Sequence, residues 1–112
     1  MVTDNKIKTY YVYILLCKNG SYYTGYTTDI KRRYKEHLKG TAKSKYTRSF
    51  KVKNLAQCWQ ALDSKSDAMK MENYIKKLSK KDKESLIVNP GELKKQFSCD
   101  ILDEVTSSLL TG

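Results

Sequence analysis

Two tyrosine-rich segments separated by a short polar turn constrain this chain more than any other feature. Residues 10–17 read YYVYILLC and residues 21–27 read SYYTGYT, and both are rich in the aromatic and β-branched side chains that favour strands. The polar stretch between them, Lys18-Asn19-Gly20, is typical of a hairpin turn. The sequence therefore predicts an antiparallel hairpin close to the N-terminus.

The geometry of the turn decides which tyrosines share a face of the hairpin. A two-residue type I′ turn on Asn19-Gly20 would place Tyr13 and Tyr23 on opposite faces. A three-residue loop, with Gly20 in the left-handed conformation and a G1 bulge, pairs Leu15 with Tyr23 and sets Tyr13 diagonally beside them. Only this register lets both hydroxyls act on one substrate, and we predict it.

Helix caps and apolar patterns mark the elements that follow. Thr28 or Asp29 caps a helix that runs to about Lys39, and Gly40 ends it. The polar, basic residues 40–53 predict a loop.

The second half of the chain adds a strand and two helices. Residues 54–63 predict a third strand. A capping box that begins at Ser64 opens a helix over residues 65–79, and a shorter helix over residues 80–88 ends before the sequence NPG. The order β-β-α-β-α-α predicts an α+β fold, with a small, mostly antiparallel three-stranded sheet flanked by helices.

We expect one domain over residues 9–90 and a C-terminal extension over residues 91–112. The weak apolar pattern of the extension fits a helix, a short strand or a tail. Because residues 92–112 are apolar and acidic, a protein partner or a second copy of the chain is a further expectation for this segment.

Two polar residues fall where the first helix should be apolar. At about 100° per residue, Ile30, Tyr34 and Leu38 form its buried stripe, and Arg33 and His37 lie within or beside that stripe. Taken singly, they fit an arginine that reaches solvent and a hydrogen-bonded core histidine. Taken together beside the hairpin, they indicate the wall of a site.

One glutamate stands at the edge of the buried stripe of the second helix. That stripe consists of Ala68, Met71, Ile75 and Leu78, with Glu72 beside it. Such a carboxylate is either an ion-pair partner or a metal ligand. A single carboxylate suits Mg²⁺, which keeps several waters.

The charge of the chain favours a polyanionic partner, although a solubilising surface is the alternative. The formal net charge is +10, and residues 31–53 hold ten Lys and Arg against the single acid Glu36. A concentrated basic stretch of this kind suits phosphate binding.

The three cysteines show no metal-binding spacing and fit reduced thiols in the cytoplasm. No apolar run is long enough for a membrane helix.

These residues resemble a known family. Tyr11-Val12-Tyr13 and Tyr23-Thr24-Gly25 are similar to the paired signatures of GIY-YIG nucleases, although the first signature lacks its glycine. The resemblance covers roughly residues 9–90 and extends to the small single-domain UvrC/YhbQ-like group.

The resemblance implies a metal-dependent phosphodiester hydrolase, with Mg²⁺ or Mn²⁺ and a role such as DNA repair. One tyrosine of the pair Tyr13 and Tyr23 activates water, Arg33 stabilises charge on the phosphate, His37 assists proton transfer and Glu72 binds the metal. A tyrosine base needs its pKa lowered, and we expect Arg33, the metal and Lys35 or Lys45 to lower it.

Nucleic acid is the expected partner, with DNA favoured over RNA and little sequence preference. The alternative is a catalytically weak nucleic-acid-binding module that acts with a partner. The expected nucleic-acid contacts are Tyr26, Lys35, Lys43, Lys45, Tyr46 and Arg48.

Overall fold

The computed structural model describes residues 8–62 and 64–102 of the chain. Within this part, four strands form one antiparallel sheet: β1 (Tyr10–Cys17), β2 (Tyr22–Thr27), β3 (Val52–Ala61) and β4 (Cys99–Ile101). Their order in the sheet is β2-β1-β3-β4, so β2 is an edge strand. The predicted α+β fold is confirmed, but the sheet has a fourth strand that the sequence pattern did not reveal.

Four α-helices and a 3-10 helix surround the sheet in the described residues. They are α1 (Ile30–Lys39), α2 (Lys45–Ser49), α3 (Lys65–Lys76), α4 (Lys80–Val88) and the 3-10 helix Pro90–Lys95.

Polar caps set the helix starts, and those at Asp29 and Ser64 were predicted. Asp29 accepts a hydrogen bond from the backbone N–H of Arg32, and Ser44, Ser64 and Ser79 cap the next three helices in the same way. Gly40 ends α1 in the left-handed conformation, with φ of 75°.

The predicted hairpin register is confirmed. Leu15 pairs with Tyr23, Tyr13 pairs with Gly25, and Gly20 has φ of 87° at the third position of the loop. Cys17 donates its backbone N–H to the carbonyl of Ser21 at 2.8 Å and closes the loop. Tyr13 and Tyr23 therefore lie on the same face of the hairpin.

The two faces of the sheet bury different sets of side chains. One face packs Val12, Ile14 and Trp59 against the buried residues of α3. The other packs Leu15 and Tyr13 against Ile30 and Tyr34 of α1. Each fully buried side chain of this size contributes roughly 1.5–3 kcal/mol by leaving water, so the two layers fix where α1 and α3 lie.

Three local predictions are wrong. The basic segment expected to be a loop contains α2, because Ser44 caps it and Thr47 packs inward. Leu38 is 48% exposed, because His37 fills the position in the core that the stripe assigned to it. The helix predicted over residues 65–79 ends at Lys76, since Ser79 caps a separate helix.

The first part of the predicted extension packs on the body of the fold. Leu93 and Cys99 are buried in the same layer as Trp59, and the Trp59 indole donates to the carbonyl of Pro90 at 2.9 Å. The boundary at residue 90 stays a prediction, and residues 103–112 lie outside the described part of the chain. No helix within the described ranges has the length and apolar character needed to cross a bilayer.

We expect Gly25→Ala to lower the free energy of unfolding by about 1–3 kcal/mol, in the range of core overpacking. A Cβ at Gly25 would lie 2.6 Å from the hydroxyl oxygen of Tyr13 and 2.8 Å from Cζ of that ring. Urea unfolding would measure the loss. The matched control is Gly91→Ala, where a Cβ meets no atom within 4 Å. Equal effects of the two substitutions would contradict the close contact.

Candidate active site

Side chains from β1, β2, α1 and α3 line one open pocket of about 510 Å³ beside the edge strand β2. Four of the five residues predicted to be catalytic reach it: Tyr13, Tyr23, Arg33 and Glu72. Gly25 forms part of the lining where a larger residue would displace the Tyr13 ring. The convergence required by the sequence argument is therefore present in the fold.

The fifth predicted residue, His37, lies behind the pocket and contacts Tyr13. Its Nε2 is 3.0 Å from the Tyr13 hydroxyl, and its Nδ1 is 2.9 Å from Oγ1 of Thr47. Thr47 in turn donates its hydroxyl to the carbonyl of Ser44 at 3.4 Å. All three side chains of this Tyr13–His37–Thr47 chain are buried, so each needs the partners it has.

The contacts of Thr47 favour one histidine tautomer. The Thr47 hydroxyl lies 3.4 Å from the Ser44 carbonyl, and directing its proton there leaves Thr47 to accept from Nδ1–H of His37. Nε2 then carries a free lone pair in the neutral ring and accepts the Tyr13 proton. The phenol is thereby held with a proton acceptor at its oxygen.

Burial keeps both members of the pair neutral. Loss of solvent, helped by the nearby Arg33 charge, lowers the pKa of His37 to about 4, although Glu36 acts in the opposite direction. Burial, followed by the influence of Tyr23, raises the pKa of the Tyr13 phenol. Arg33 lowers that pKa as expected, but by less than burial raises it, and the expectation that a bound metal also lowers it stays a prediction.

Tyr23 connects the pocket to α2. Its ring centroid lies 6.5 Å from that of Tyr13, 5.2 Å from that of His37 and 6.0 Å from that of Tyr46. The ring thus covers the buried pair on the pocket side and stacks on Tyr46 at an interplanar angle of 27°.

Arg33 enters the pocket with an unused donor. Its Nε lies 3.3 Å from Oε1 of Glu36, yet the N–H is not directed at that oxygen, and this buried donor has no acceptor. A buried N–H without an acceptor costs about 1–3 kcal/mol, which the nearby Glu36 carboxylate offsets only in part. The planar guanidinium suits two oxygens of one phosphate.

Glu72 is the carboxylate of the pocket. Its side chain is only 16% exposed and lies 3.5 Å from Nζ of Lys76, so the ion-pair reading holds for the protein alone. Its negative charge also contributes to the raised pKa of Tyr13, which puts it within electrostatic reach of the phenol. Residues 8–62 and 64–102 contain no group of three or more His, Cys, Asp or Glu that could hold a metal. A single carboxylate such as Glu72 fits Mg²⁺, which accepts few protein ligands.

The structure separates the predicted nucleic-acid contacts into two groups. Tyr26 lines the pocket, and Lys43 lines a neighbouring hollow together with Arg32 and Arg33. The remaining four are exposed on α1 or α2, outside the pocket: Lys35, Lys45, Tyr46 and Arg48.

Several pocket residues were missed from the sequence. Lys8, Arg32 and Lys65 add positive charge around the opening, and Thr47 orients His37. The sequence carries a signal for Lys65 alone, since it directly follows the helix-capping Ser64. The other three are chosen by tertiary contacts.

A second concavity, of about 330 Å³, lies between α3, α4 and the 3-10 helix. Its charged lining consists of Asp82 and Glu92 against Lys95. Two carboxylates against one cation suit a phosphate poorly, so the pocket beside β2 is the better candidate.

Comparisons with known proteins place the chain in a family. A family model described as the GIY-YIG catalytic domain matches residues 9–85. The UPF0213 protein BH0048 of Halalkalibacterium halodurans is 50% identical over 82 residues, which cover 73% of this chain and 85% of that protein. The UPF0213 protein VNG_2274C of Halobacterium salinarum is 47% identical over 77 residues, which cover 69% and 97% of the two chains. The solution NMR structure of UPF0213 protein BH0048 from Bacillus halodurans has 46% identity, covers 74% of this chain and 86% of that one, and gives a TM-score of 0.47.

The His37 environment predicts a pH dependence of stability. Since the pKa of His37 is lowered from 6.5 to about 4 in the folded protein, the unfolded chain binds more protons between these values. The contribution of His37 to the free energy of unfolding is fully present above about pH 6.5 and is lost as the pH falls towards 4. The loss is up to about 3 kcal/mol, at about 1.4 kcal/mol per pKa unit.

Urea unfolding at pH 7 and pH 4.5 checks this prediction, with His37→Gln as the comparison. The variant should lose less stability over that interval, because it lacks the imidazole that takes up a proton. Its other titrating groups are the same as those of the unaltered protein. His37 is the only histidine in the sequence, so its imidazole NMR signals can be followed directly in tag-free protein. A midpoint near 6.5 in the folded state would contradict the buried neutral ring.

Proposed function

The chain belongs to the GIY-YIG family of catalytic domains, and on that premise we propose that it is a metal-dependent endonuclease that hydrolyses nucleic-acid phosphodiester bonds with little sequence preference. One observation carries the proposal. Two tyrosines, an arginine and a carboxylate converge on a single pocket from four separate elements.

The Tyr13–His37–Thr47 chain supports a role in activating water. A water in the pocket would give a proton to the Tyr13 oxygen while the phenol proton passes to Nε2 of His37. The phenol then acts as a base without a stable phenolate, which its raised pKa disfavours. Thr47 accepts from Nδ1 and would hold the ring in position as Nε2 gains the proton.

Arg33 would bind the scissile phosphate. Its planar guanidinium can donate two parallel hydrogen bonds to the two non-bridging oxygens of a phosphodiester. Preorganised donors of this type act most strongly on the charge that develops in the transition state. A bound anion would also offset the Arg33 charge, which is one cause of the low His37 pKa, and so make His37 a better proton acceptor.

Glu72 would hold the divalent metal. When bound, a Mg²⁺ or Mn²⁺ ion supplies neutralisation of charge on the leaving oxygen. For this role Glu72 must give up its contact with Lys76, and the exposed Lys76 can turn to solvent at little cost.

Affinity would come from the cations around the pocket and on α2. Contacts of Lys and Arg with the sugar–phosphate backbone do not read sequence, which fits a nuclease with little sequence preference. DNA is the favoured substrate over RNA. The cytoplasm is the proposed compartment, in keeping with free thiols at Cys17, Cys58 and Cys99. A role in DNA repair and a partner bound through residues 92–112 are proposals of the same standing.

We expect Glu72→Gln and Tyr13→Phe each to lower Mg²⁺-dependent cleavage by at least about 100-fold, the scale of a lost acid–base or metal-binding group. Purified proteins would be incubated with single-stranded, duplex, flap and RNA substrates, with and without metal. The matched controls are Glu92→Gln and Tyr22→Phe, which change residues outside the pocket. Glu92 is exposed, and Tyr22 is half-buried with its hydroxyl donating to Glu84.

Two outcomes would contradict this proposal. Cleavage that persists in both pocket variants would belong to another site or to a contaminant. Salt-sensitive binding by the unaltered protein without cleavage in any divalent metal would instead support the nucleic-acid-binding module, for which the Glu72–Lys76 ion pair is the favouring observation.

Neutralising Lys43, Lys45 and Arg48 together with glutamine should weaken binding and flatten its salt dependence. If each contacts a phosphate, the slope of log K against log salt falls by about 0.7–0.9 per residue. Fluorescence anisotropy at several salt concentrations gives the slope. The control carries the same charge change at the exposed Lys70, Lys77 and Lys81. Equal slopes in the two variants would remove the specific role of the first group.

A further inference from the structure

A row of aromatic rings leads from the candidate active site to the surface of α2. Tyr13 contacts Tyr23 at 6.5 Å between ring centroids, Tyr23 stacks on Tyr46 at 6.0 Å, and Tyr46 contacts Phe50 at 4.9 Å. The row begins in the buried Tyr13–His37–Thr47 chain and ends in solvent.

The outer end of the row exposes aromatic surface that the fold does not use. Tyr46 is 37% exposed and Phe50 is 41% exposed, although both are large apolar rings. Tyr46 already stacks on Tyr23, whereas Phe50 contacts only Tyr46 among the ring pairs of the described residues. Phe50 therefore has more ring surface to offer a ligand, and it carries no polar atom that would favour water.

The surroundings of these rings are cationic. From residue 37 to residue 62 the sequence holds six Lys and Arg and no acid. Lys45, Arg48 and Lys51 flank the two rings in sequence, and all three are exposed. An apolar partner surface would gain nothing from this charge, whereas a nucleic-acid strand presents flat bases and negative phosphates together.

The Tyr46 and Phe50 rings are inclined at 55°, so one base stacks flat on only one of them. We propose that Phe50, beside Tyr46, forms a stacking platform for an unpaired base, and hence that the substrate is single-stranded nucleic acid or a junction with an unpaired segment. This inference rests on the proposed nuclease function and specifies its substrate class. Bases inside a duplex have both faces stacked on neighbours and present only their edges, so they cannot use the platform.

The position of the platform agrees with this substrate. Tyr23 lies between the Tyr13 hydroxyl and the Tyr46 ring and contacts both residues. The successive ring centroids from Tyr13 to Phe50 are 6.5, 6.0 and 4.9 Å apart, so a strand whose phosphate lies in the pocket beside Tyr13 would extend over these rings to reach Phe50. The unpaired base then sets which phosphate enters the pocket.

The experiment is a binding measurement without metal, so that no substrate is cut. Labelled single strands of DNA and of RNA, a matched duplex and a duplex with an unpaired flap are titrated by fluorescence anisotropy with the full chain and with Phe50→Leu. We expect the variant to bind single strands and the flap about 10-fold more weakly, while duplex binding changes less than 2-fold. A base analogue whose emission is quenched by stacking should be quenched by the unaltered protein and less by the variant.

Two controls separate stacking from other effects. Val88→Ala removes another exposed apolar side chain, on α4, and should bind every probe as the unaltered protein does. Lys45→Gln should weaken single-strand and duplex binding in parallel, because it removes charge and leaves the rings in place.

The outcomes distinguish this inference from the function on which it rests. Binding of single strands that depends on the Phe50 ring, without cleavage in any divalent metal, would contradict the nuclease proposal and support the platform. Cleavage that depends on Glu72, together with equal binding of all probes by Phe50→Leu and the unaltered protein, would contradict the platform and support the nuclease proposal. A change in self-association of Phe50→Leu, with no change in strand binding, would assign the rings to a protein contact and overturn the proposal.

Discussion

The hydrogen bond between Tyr13 and His37 is the interaction on which the rest of the site depends. It joins β1 to α1 across 3.0 Å between two buried side chains, and Thr47 completes it from α2. Loss of one member would leave buried polar atoms without partners, at roughly 1–3 kcal/mol each. The ring of Tyr13 also passes over Gly25, where a Cβ would lie 2.6 Å from its hydroxyl, so the glycine follows from the same contact.

The placement of the sheet explains why groups from both of its faces reach one pocket. Helix α1 packs on one layer of the core and α3 on the other. Because β2 is the edge of the sheet, side chains from both helices extend past it and meet beside Gly25. The opposite edge of the sheet is formed by β4, two strands away from β1 and three from β2. Cys99 of β4 is buried in the core.

Burial and the Arg33 charge oppose each other at Tyr13 and reinforce each other at His37. Burial raises the pKa of Tyr13 and lowers that of His37, so both are neutral near pH 7. A neutral pair can pass a proton without first creating an isolated ion in a medium of low polarity. Arg33 supplies the positive charge, and its Nε lies 3.3 Å from Oε1 of Glu36 without a hydrogen bond between them. Such a combination suits a ligand that is both anionic and rich in acceptors.

The sequence by itself determined the hairpin, the caps of α1 and α3 and the family, because each depends on residues that are close together in the chain. It offered two hairpin registers, and the left-handed Gly20 at the third position of the loop fixes which tyrosines share a face. It did not determine α2, the exposure of Leu38, the fourth strand or the partnership of His37 with Thr47. Those features depend on which side chains come into contact when the helices pack on the sheet. Residues ten or more positions apart, such as His37 and Thr47, form no local sequence pattern that predicts such a contact. Only the tertiary structure decided them, because a buried histidine takes whatever partner satisfies its second nitrogen.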